Sequence, residues 1–432
     1  MGTTAETAHT PEDPPPSRWT LPLVLIAQFV TPMSIAGTAI ALPKISADLG
    51  AHPTALQWVV NGFNVAFAFG VLAWGALSDR IGYRATFAIG GSLFAIASLL
   101  SAISSSLLLL DGLRAIAGVG AAAVLTGSSS MLSNAFEGSA RARAFALFGT
   151  VNGLGLALGP TISGLLITGL GWRGVFTVHG LILAVVVLNA RILPRSAVSG
   201  ALGDAAPLLD WSLLRNREFL AMCLVPVAGS IGFVTLLTYL PSALSAVKDV
   251  SAGQAGLLML AMTLPVVIAP SIVAKLVESV PSVTVGTIIY ASLISLVLGN
   301  LGLTLLTEDR SVAWIILPMI LLGCGFGLPV GLVDGHALHV VPPERTGTAA
   351  GLLNFFRIGS EAVFVAGYAF VLSMLIGQEL TGSAAADTAA GQPGHPDVYT
   401  SAFATTMFIL AFLVVIVALI ILAIRRNRAV RD

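Results

Sequence analysis

Twelve stretches of this chain are apolar over the roughly 20 residues that a helix needs to cross a bilayer, and that leaves few folds open. They run Leu21–Leu42, Leu56–Leu77, Ala85–Ala102, Leu107–Leu132, Ala142–Leu166 and Trp172–Leu193, then Phe219–Leu240, Ala252–Val273, Val283–Leu306, Val312–His339, Ala349–Ile376 and Ala402–Ile424. Lipid offers a backbone no hydrogen-bond partners, so each span has to satisfy its own peptide groups as a helix. The expectation is an all-α integral membrane protein with twelve transmembrane helices. Only 10% of the 432 residues are charged, against about 25% in a soluble domain. Basic and acidic residues balance at 21 each, so no basic surface for nucleic acid is implied. Cys223 and Cys324 both fall inside apolar runs, which points to neither a disulfide framework nor a metal site.

The polar stretch from Pro194 to Arg217 divides the spans into two sets of six. The expected boundaries are a disordered tail over 1–18, an N-terminal bundle over 19–193, a linker over 194–217, a C-terminal bundle over 218–424 and a basic tail over 425–432. An even number of spans puts both termini on one side, and basic residues choose which. With the termini inside, the inner segments hold fifteen Arg and Lys, while the outer loops hold only Lys44, Arg173, Lys248 and Arg310. Both termini are therefore expected in the cytoplasm of a multi-pass cell-membrane protein. The acidic, Pro-rich start (Glu6, Pro11, Glu12, Asp13) lacks the basic region of a signal peptide. The halves echo each other: Gly118-Val119-Gly120 in span 4 returns as Gly323-Cys324-Gly325 in span 10. Such repetition builds two-bundle transporters with a substrate site between the bundles. The outer segment Gly377–Thr400 reads as a flexible low-complexity connection.

Between spans 2 and 3 stands Gly75-Ala-Leu-Ser-Asp79-Arg80-Ile-Gly82-Tyr-Arg84. Gly75 allows close backbone approach, and Gly82 can supply the positive φ of a tight turn. Asp79 can face a helix N-terminus, leaving Arg80 and Arg84 for phosphates or carboxylates. A positive-inside hairpin with no further role is the plainer alternative. The wording resembles the Gly-x-x-x-Asp-Arg-x-Gly signature of the major facilitator superfamily. Further stretches extend the likeness over nearly the whole membrane domain: Arg114-Ala-Ile-Ala-Gly118-Val-Gly120 in span 4, Gly155-Leu-Ala-Leu-Gly159-Pro160-Thr-Ile-Ser-Gly164 in span 5, Gly171-Trp172-Arg173 opening span 6, and Gln57-Trp58 in span 2. The span-5 wording is similar to that of drug:proton antiporters. The resemblance implies two pseudo-symmetric six-helix bundles, with Gly155, Gly159, Pro160 and Gly164 as a hinge or seal between them. Ordinary helix packing by small residues is the other reading of that stripe. The span-2 wording is similar to the fourteen-span branch, but Pro194–Arg217 is too polar to add two spans, so twelve are kept.

Ionisable residues inside the membrane are costly and mark sites. Asp111 and Arg114 share a face of span 4, three residues apart, either as a self-contained pair or as a protonation-sensitive group in the outer cavity. Glu361 falls in the middle of span 11, with Arg357 one turn before it. Burial and a neighbouring arginine pull a carboxylate's proton affinity in opposite directions, so Glu361 is a coupling candidate or half of a structural Arg–Glu pair. Asp334 lies near the inner end of span 10. His336 and His339 are read as reaching for the interface, and His179 as hydrogen-bonded packing. Related fourteen-span exporters carry Asp in span 1 where this chain has Ser34, so Glu361, Asp334 and Asp111 remain as proton-coupling candidates. Gln28, Asn61, Asn64, Asn152, Tyr239, Asn354, Arg114 and Arg357 are the expected cavity lining, interhelical hydrogen bonding being the alternative for the amides.

No nucleotide loop or His-Glu-x-x-His occurs in the sequence, and an enzyme is not indicated. The expected function is secondary export of amphiphilic small molecules in exchange for protons by alternating access. An uptake permease or uniporter for a small organic solute is the alternative. The expected partners are a small-molecule substrate and the bilayer, with no cofactor beyond the proton gradient and a monomer as the working unit.

Overall fold

The computed structural model describes residues 17–50, 53–136, 138–194, 211–342 and 346–426. The expected tail, most of the linker and the last basic residues lie outside these, as do the side chains of Asp79 and Asn354. The first four helices are α1 (Thr20–Leu49), α2 (Pro53–Ile81), α3 (Tyr83–Ala102) and α4 (Leu107–Ala135). The run Gly138–Leu188 is helical except at Gly171, where φ is 71° and ψ 176°. Its apolar part, Leu147–Ile192, has 46 residues, about 69 Å at 1.5 Å per residue, more than twice the ~30 Å hydrocarbon core. The break at Gly171 therefore separates two spans, α5 (138–170) and α6 (172–188). The second half supplies α7 (217–248), α8 (252–279), α9 (Val285–Leu303), α10 (313–339), α11 (Thr346–Glu379) and α12 (Pro396–Arg426). Helix α7 passes through a π-helical turn at Ser230–Val234, and α10 breaks before Leu332, where Gly331 has φ 77°. No strand occurs among the described residues. Several spans run longer than their apolar cores; α1 continues through Pro43 to Leu49.

Glycines decide how closely the helices pack. A Cβ on Gly118 would strike the Phe63 carbonyl of α2, and one on Gly120 would sit 2.6 Å from Gly90 O and Phe94 N of α3. Gly323 likewise meets the Met262 carbonyl of α8, and Gly325 meets Leu296 of α9 at 2.7 Å. The two Gly-x-Gly repeats thus do the same job one half-chain apart, wedging the fourth helix of each bundle between its second and third. Gly82 takes the expected positive φ, 85°. Gly75 does not bring two backbones together, because a Cβ there would meet nothing within 4 Å. Arg80 is exposed and Arg84 half-buried.

The end of the molecule where α1 begins and α12 finishes is here the terminal end, and the opposite one the far end. One apolar core fills the terminal-end part of the first bundle around Phe63, Phe87 and Phe94. A second core fills the other bundle and continues into far-end residues of the first, Ile40, Ile45, Leu56 and Val59. The segment expected to be a flexible connection, Gly377–Thr400, is instead ordered on top of this joint. It forms a short helix, Gly382–Ala389, buries Thr388 and Ala390, packs Gly391 at φ 86° against Ser242 and donates from Gln392 Nε2 to Ser46 Oγ at 3.0 Å. Its alanines suit a tight cover, which composition alone does not distinguish from a loose loop.

Replacing Gly118 by Val is expected to push α2 and α4 apart at a cost of roughly 1–3 kcal/mol, seen as a lowered melting temperature in detergent. Gly75→Ala should not lower it, since the added methyl has free space.

Candidate transport site

Polar contacts cross between the bundles toward the far end. Gln57 Nε2 donates to Ser373 Oγ at 3.3 Å, Thr161 Oγ1 to Gly256 O at 2.6 Å, and Gln392 to Ser46. The span-5 stripe lies at this joint. Gly155 and Gly159 rest on α1, where a Cβ would come 2.5 Å from Phe29 O and 3.1 Å from Met33. Gly164 faces Ala252 O of α8 at 2.5 Å, and Gly256 faces Pro160 O at 2.7 Å. The stripe therefore has one part inside its own bundle and one part across the divide. At the same end, Asp48 of α1 accepts from Trp172 Nε1 at 3.0 Å and pairs with Arg173, whose guanidinium lies 4.2 Å from the Trp172 ring.

The first bundle brings Gln28 and Asn152 together, Nε2 to Oδ1 at 2.7 Å. Asn61 and Asn64 are both buried on α2. Asn61 stands beside the Tyr239 hydroxyl but short of hydrogen-bond geometry. Tyr239 stacks on Tyr368 at 4.6 Å, and these two hydroxyls and that of Tyr399 are buried without hydrogen bonds. Only Tyr239 of the three was expected in the lining. The far end of this cluster is a small pocket walled by Gln57, Tyr239, Ser242, Ser373 and Ala390.

The expected Asp111–Arg114 pair does not form. Arg114 is 1% exposed and turns away from Asp111, donating from Nε to Val59 O and from Nη1 to Ser34 Oγ, each at 3.1 Å. Phe63 and Phe176 flank its guanidinium at 4.4 and 5.4 Å. Asp111 is half-buried, and its Oδ1 has no partner. A long side chain on α4 can reach across to α1 and α2, and that reach overrides the three-residue spacing. His179 is not held by hydrogen bonds either: it is fully buried, with both ring nitrogens unpartnered.

The expected Arg357–Glu361 pair is also replaced. Arg357 Nη2 binds Asp334 Oδ1 at 2.6 Å, joining α11 to the second part of α10. Glu361 is half-buried and takes no hydrogen bond or ion pair among the described residues, although the Arg357 charge acts on it. Beside them, Ser360 Oγ donates to Ser230 Oγ at 2.9 Å, at the start of the π-helical turn of α7. Such turns free backbone groups from the regular ladder and recur at functional sites. His336 does not reach for the interface. It lies 3.1 Å from Glu218 Oε1, which also binds Arg425 at 3.4 Å, while His339 is exposed. Glu218 was missed in the sequence because its partners lie 118 or more residues away.

Two six-helix bundles of apolar, membrane-length helices, joined by polar contacts toward one end, are the architecture of a multi-pass membrane transporter. The Major Facilitator Superfamily model matches residues 24–365, and the chain belongs to that family. It is 27% identical over 394 residues to the multidrug efflux pump LfrA of Mycolicibacterium smegmatis, covering 78% of this chain and 77% of the pump. It is 24% identical over 410 residues to the riboflavin transporter RibZ of Clostridioides difficile, covering 83% and 88%. In fold it is similar to a bacterial homologue of the human lysosomal transporter Spinster in its inward-facing, unoccupied conformation, with a TM-score of 0.72, 16% identity, and coverage of 94% of this chain and 96% of that one. The nucleoside transporter NupG gives a TM-score of 0.68 at 14% identity, covering 93% and 99%.

Glu218→Gln removes the negative charge that faces both Arg425 and His336. It is expected to destabilise the protein by about 1–3 kcal/mol, more than Arg425→Gln does, as read by thermal unfolding in detergent.

Proposed function

We propose that this chain exports amphiphilic small molecules in exchange for protons, rocking two six-helix bundles about the site between them. The observation that carries this reading is the far-end seal built on the span-5 stripe. Gly164 and Gly256 meet carbonyls across the divide, while the same helix stays anchored to α1 through Gly155 and Gly159. An interface of that kind can part and re-form as a unit. With basic residues concentrated at the terminal end, the positive-inside rule makes that end cytoplasmic. The far end then faces outward, and the state described is closed to the outside. The efflux role named for LfrA supports the direction.

Glu361 is the proposed coupling acid. Its carboxylate has no fixed partner, whereas Arg357 is occupied by Asp334. An acid with no bond to break can take up or release a proton as access alternates. Asp334 is the second candidate, and Asp111, unpartnered on Oδ1 in the outer half of α4, the third. The proposed lining is Gln28, Asn61, Asn64, Asn152, Tyr239 and Asn354, with Arg114 and Arg357 as its charges. Gly75, Asp79, Arg80, Gly82 and Arg84 are proposed to act as the hinge turn between α2 and α3. The protein is proposed to work as a monomer, with the proton gradient as its energy source. Ser34 in place of an acid, together with the riboflavin role named for RibZ, favours the second reading, an uptake permease or uniporter.

Proteoliposomes containing a pH-sensitive dye separate the two readings. Under an imposed pH gradient, ethidium, a neutral aromatic amide and 1-naphthoate are added one at a time to wild type and Glu361→Gln. Substrate-dependent proton movement in wild type that falls about tenfold or more in the variant is the expected result. Substrate movement without proton flux leaves a uniporter. Proton flux that survives in Glu361→Gln moves the coupling role to Asp334.

A further inference from the structure

Arg114 carries a full positive charge into the first bundle, yet everything it touches is neutral. Its acceptors are one backbone carbonyl, Val59 O, and one hydroxyl, Ser34 Oγ, and its flat faces lie against Phe63 and Phe176. Its Nη2 is buried without an acceptor. Among the described residues, no carboxylate lies within 4.0 Å of it. The nearest acid along the helix, Asp111, leaves its own Oδ1 unpartnered rather than turning to meet it. His179 stands close enough to feel the Arg114 charge, and both of its ring nitrogens are buried and unpartnered. Two donor-capable side chains, each at most 1% exposed, thus share one neighbourhood with spare hydrogens and no counter-charge. A buried cation left in that condition is costly, and an anion supplied from outside removes the cost.

We propose that this buried cluster of Ser34, Phe63, Arg114, Phe176 and His179 binds the carboxylate of an aromatic or otherwise apolar organic anion. This rests on the transport reading above and narrows its substrate class. The guanidinium fork recognises the carboxylate. Ser34 holds the fork in place without neutralising it, and the phenylalanine rings provide an apolar wall for the rest of the ligand. The cluster is fully buried and packed in the state described, so the anion enters and leaves as the bundles alternate and the helices around Arg114 part.

Binding is measured on purified full-length protein in detergent, with 1-naphthoate as the probe and 1-naphthamide as its neutral counterpart. Wild type is expected to bind naphthoate about tenfold or more tightly than the amide, the worth of a charge-assisted hydrogen bond. Arg114→Gln should abolish that preference. Ser34→Asp places an internal counter-charge beside Arg114. It should raise the melting temperature and weaken naphthoate binding about tenfold, which keeps the test open if Arg114→Gln fails to fold. Equal binding of naphthoate and naphthamide by wild type would overturn the proposal, as would unchanged naphthoate binding in a folded Ser34→Asp protein. Naphthoate binding that appears only in Asp111→Asn would make Asp111 the native counter-ion and overturn it. So would stabilisation by chloride as large as that by naphthoate, the mark of an inorganic ion site. Each of these results leaves the exporter reading intact if ethidium or the neutral amide still drives proton movement in liposomes. Absence of any coupled transport would end that reading instead, without touching the binding result.

Discussion

Helices already surrounded by lipid gain little from hiding apolar surface against one another, so what holds them is short-range contact between backbones that come close enough. Glycine position is therefore the main structural variable in this chain. Gly118 and Gly120 put α4 against the backbones of α2 and α3, and Gly323 and Gly325 repeat the arrangement in the other bundle. These contacts lie within a bundle. Gly164, Gly253 and Gly256 use the same close approach between α5 and α8, across the divide. The inner cores interlock large aromatic side chains such as Phe63 with Phe94. Among the described residues, the seam between bundles adds carbonyl contacts, small residues and side-chain hydrogen bonds to the shared apolar core. Apolar side chains of the shared far-end core, Ile40, Ile45 and Leu56 among them, pack across the same joint.

Charge placement follows from a second cost, that of putting ions where water is scarce. The structure meets it differently at different depths. Near the terminal end, Glu218, His336 and Arg425 share one carboxylate between two basic groups. Deeper, Asp334 and Arg357 tie α10 to α11, each still about one-third exposed. Toward the far end, Asp48 gathers Arg173 and Trp172. Arg114 is the exception, fully buried with only neutral acceptors and ring faces. The three paired sites stitch helices together. Arg114 also ties helices, α4 to α1 and α2, but through neutral acceptors alone, and the anion-site proposal rests on that contrast.

The fold was legible because its causes are local. Apolar run length sets the spans, the Gly-x-Gly echo marks the repeated wedge, and Gly82 takes its positive φ in the turn where it was expected. The ion pairs were not legible, and for one reason. Spacing along a helix shows which residues share a face, but arginine is long enough to leave that face. Arg114 passes over Asp111, three residues away, and reaches Ser34, eighty residues away. Arg357 passes over Glu361 in the next turn and takes Asp334 from another helix. Glu218 was overlooked because nothing near it in sequence hints at His336 or Arg425. The Gly377–Thr400 segment misled in the opposite sense: small residues read as looseness, whereas here they allow a close-fitting cover over the joint.

That asymmetry bears on what a family resemblance can carry. The shared motifs of this chain are mostly glycines, a proline and turn residues, and most have a backbone contact or torsion to account for them. They encode how two bundles pack and move, which can be common to proteins that carry very different molecules. Ligand preference depends instead on a few side chains whose partners are set only by the folded arrangement. The hydroxyl of Ser34 is the sharpest example. Under the anion-site proposal, one atom group on α1 decides whether the guanidinium of α4 is neutralised internally or met by a ligand. A hydroxyl accepts the hydrogen bond at 3.1 Å and leaves the charge in place. On that proposal, a single position off the packing motifs sets the charge of the favoured ligand while the helices around it keep the same contacts.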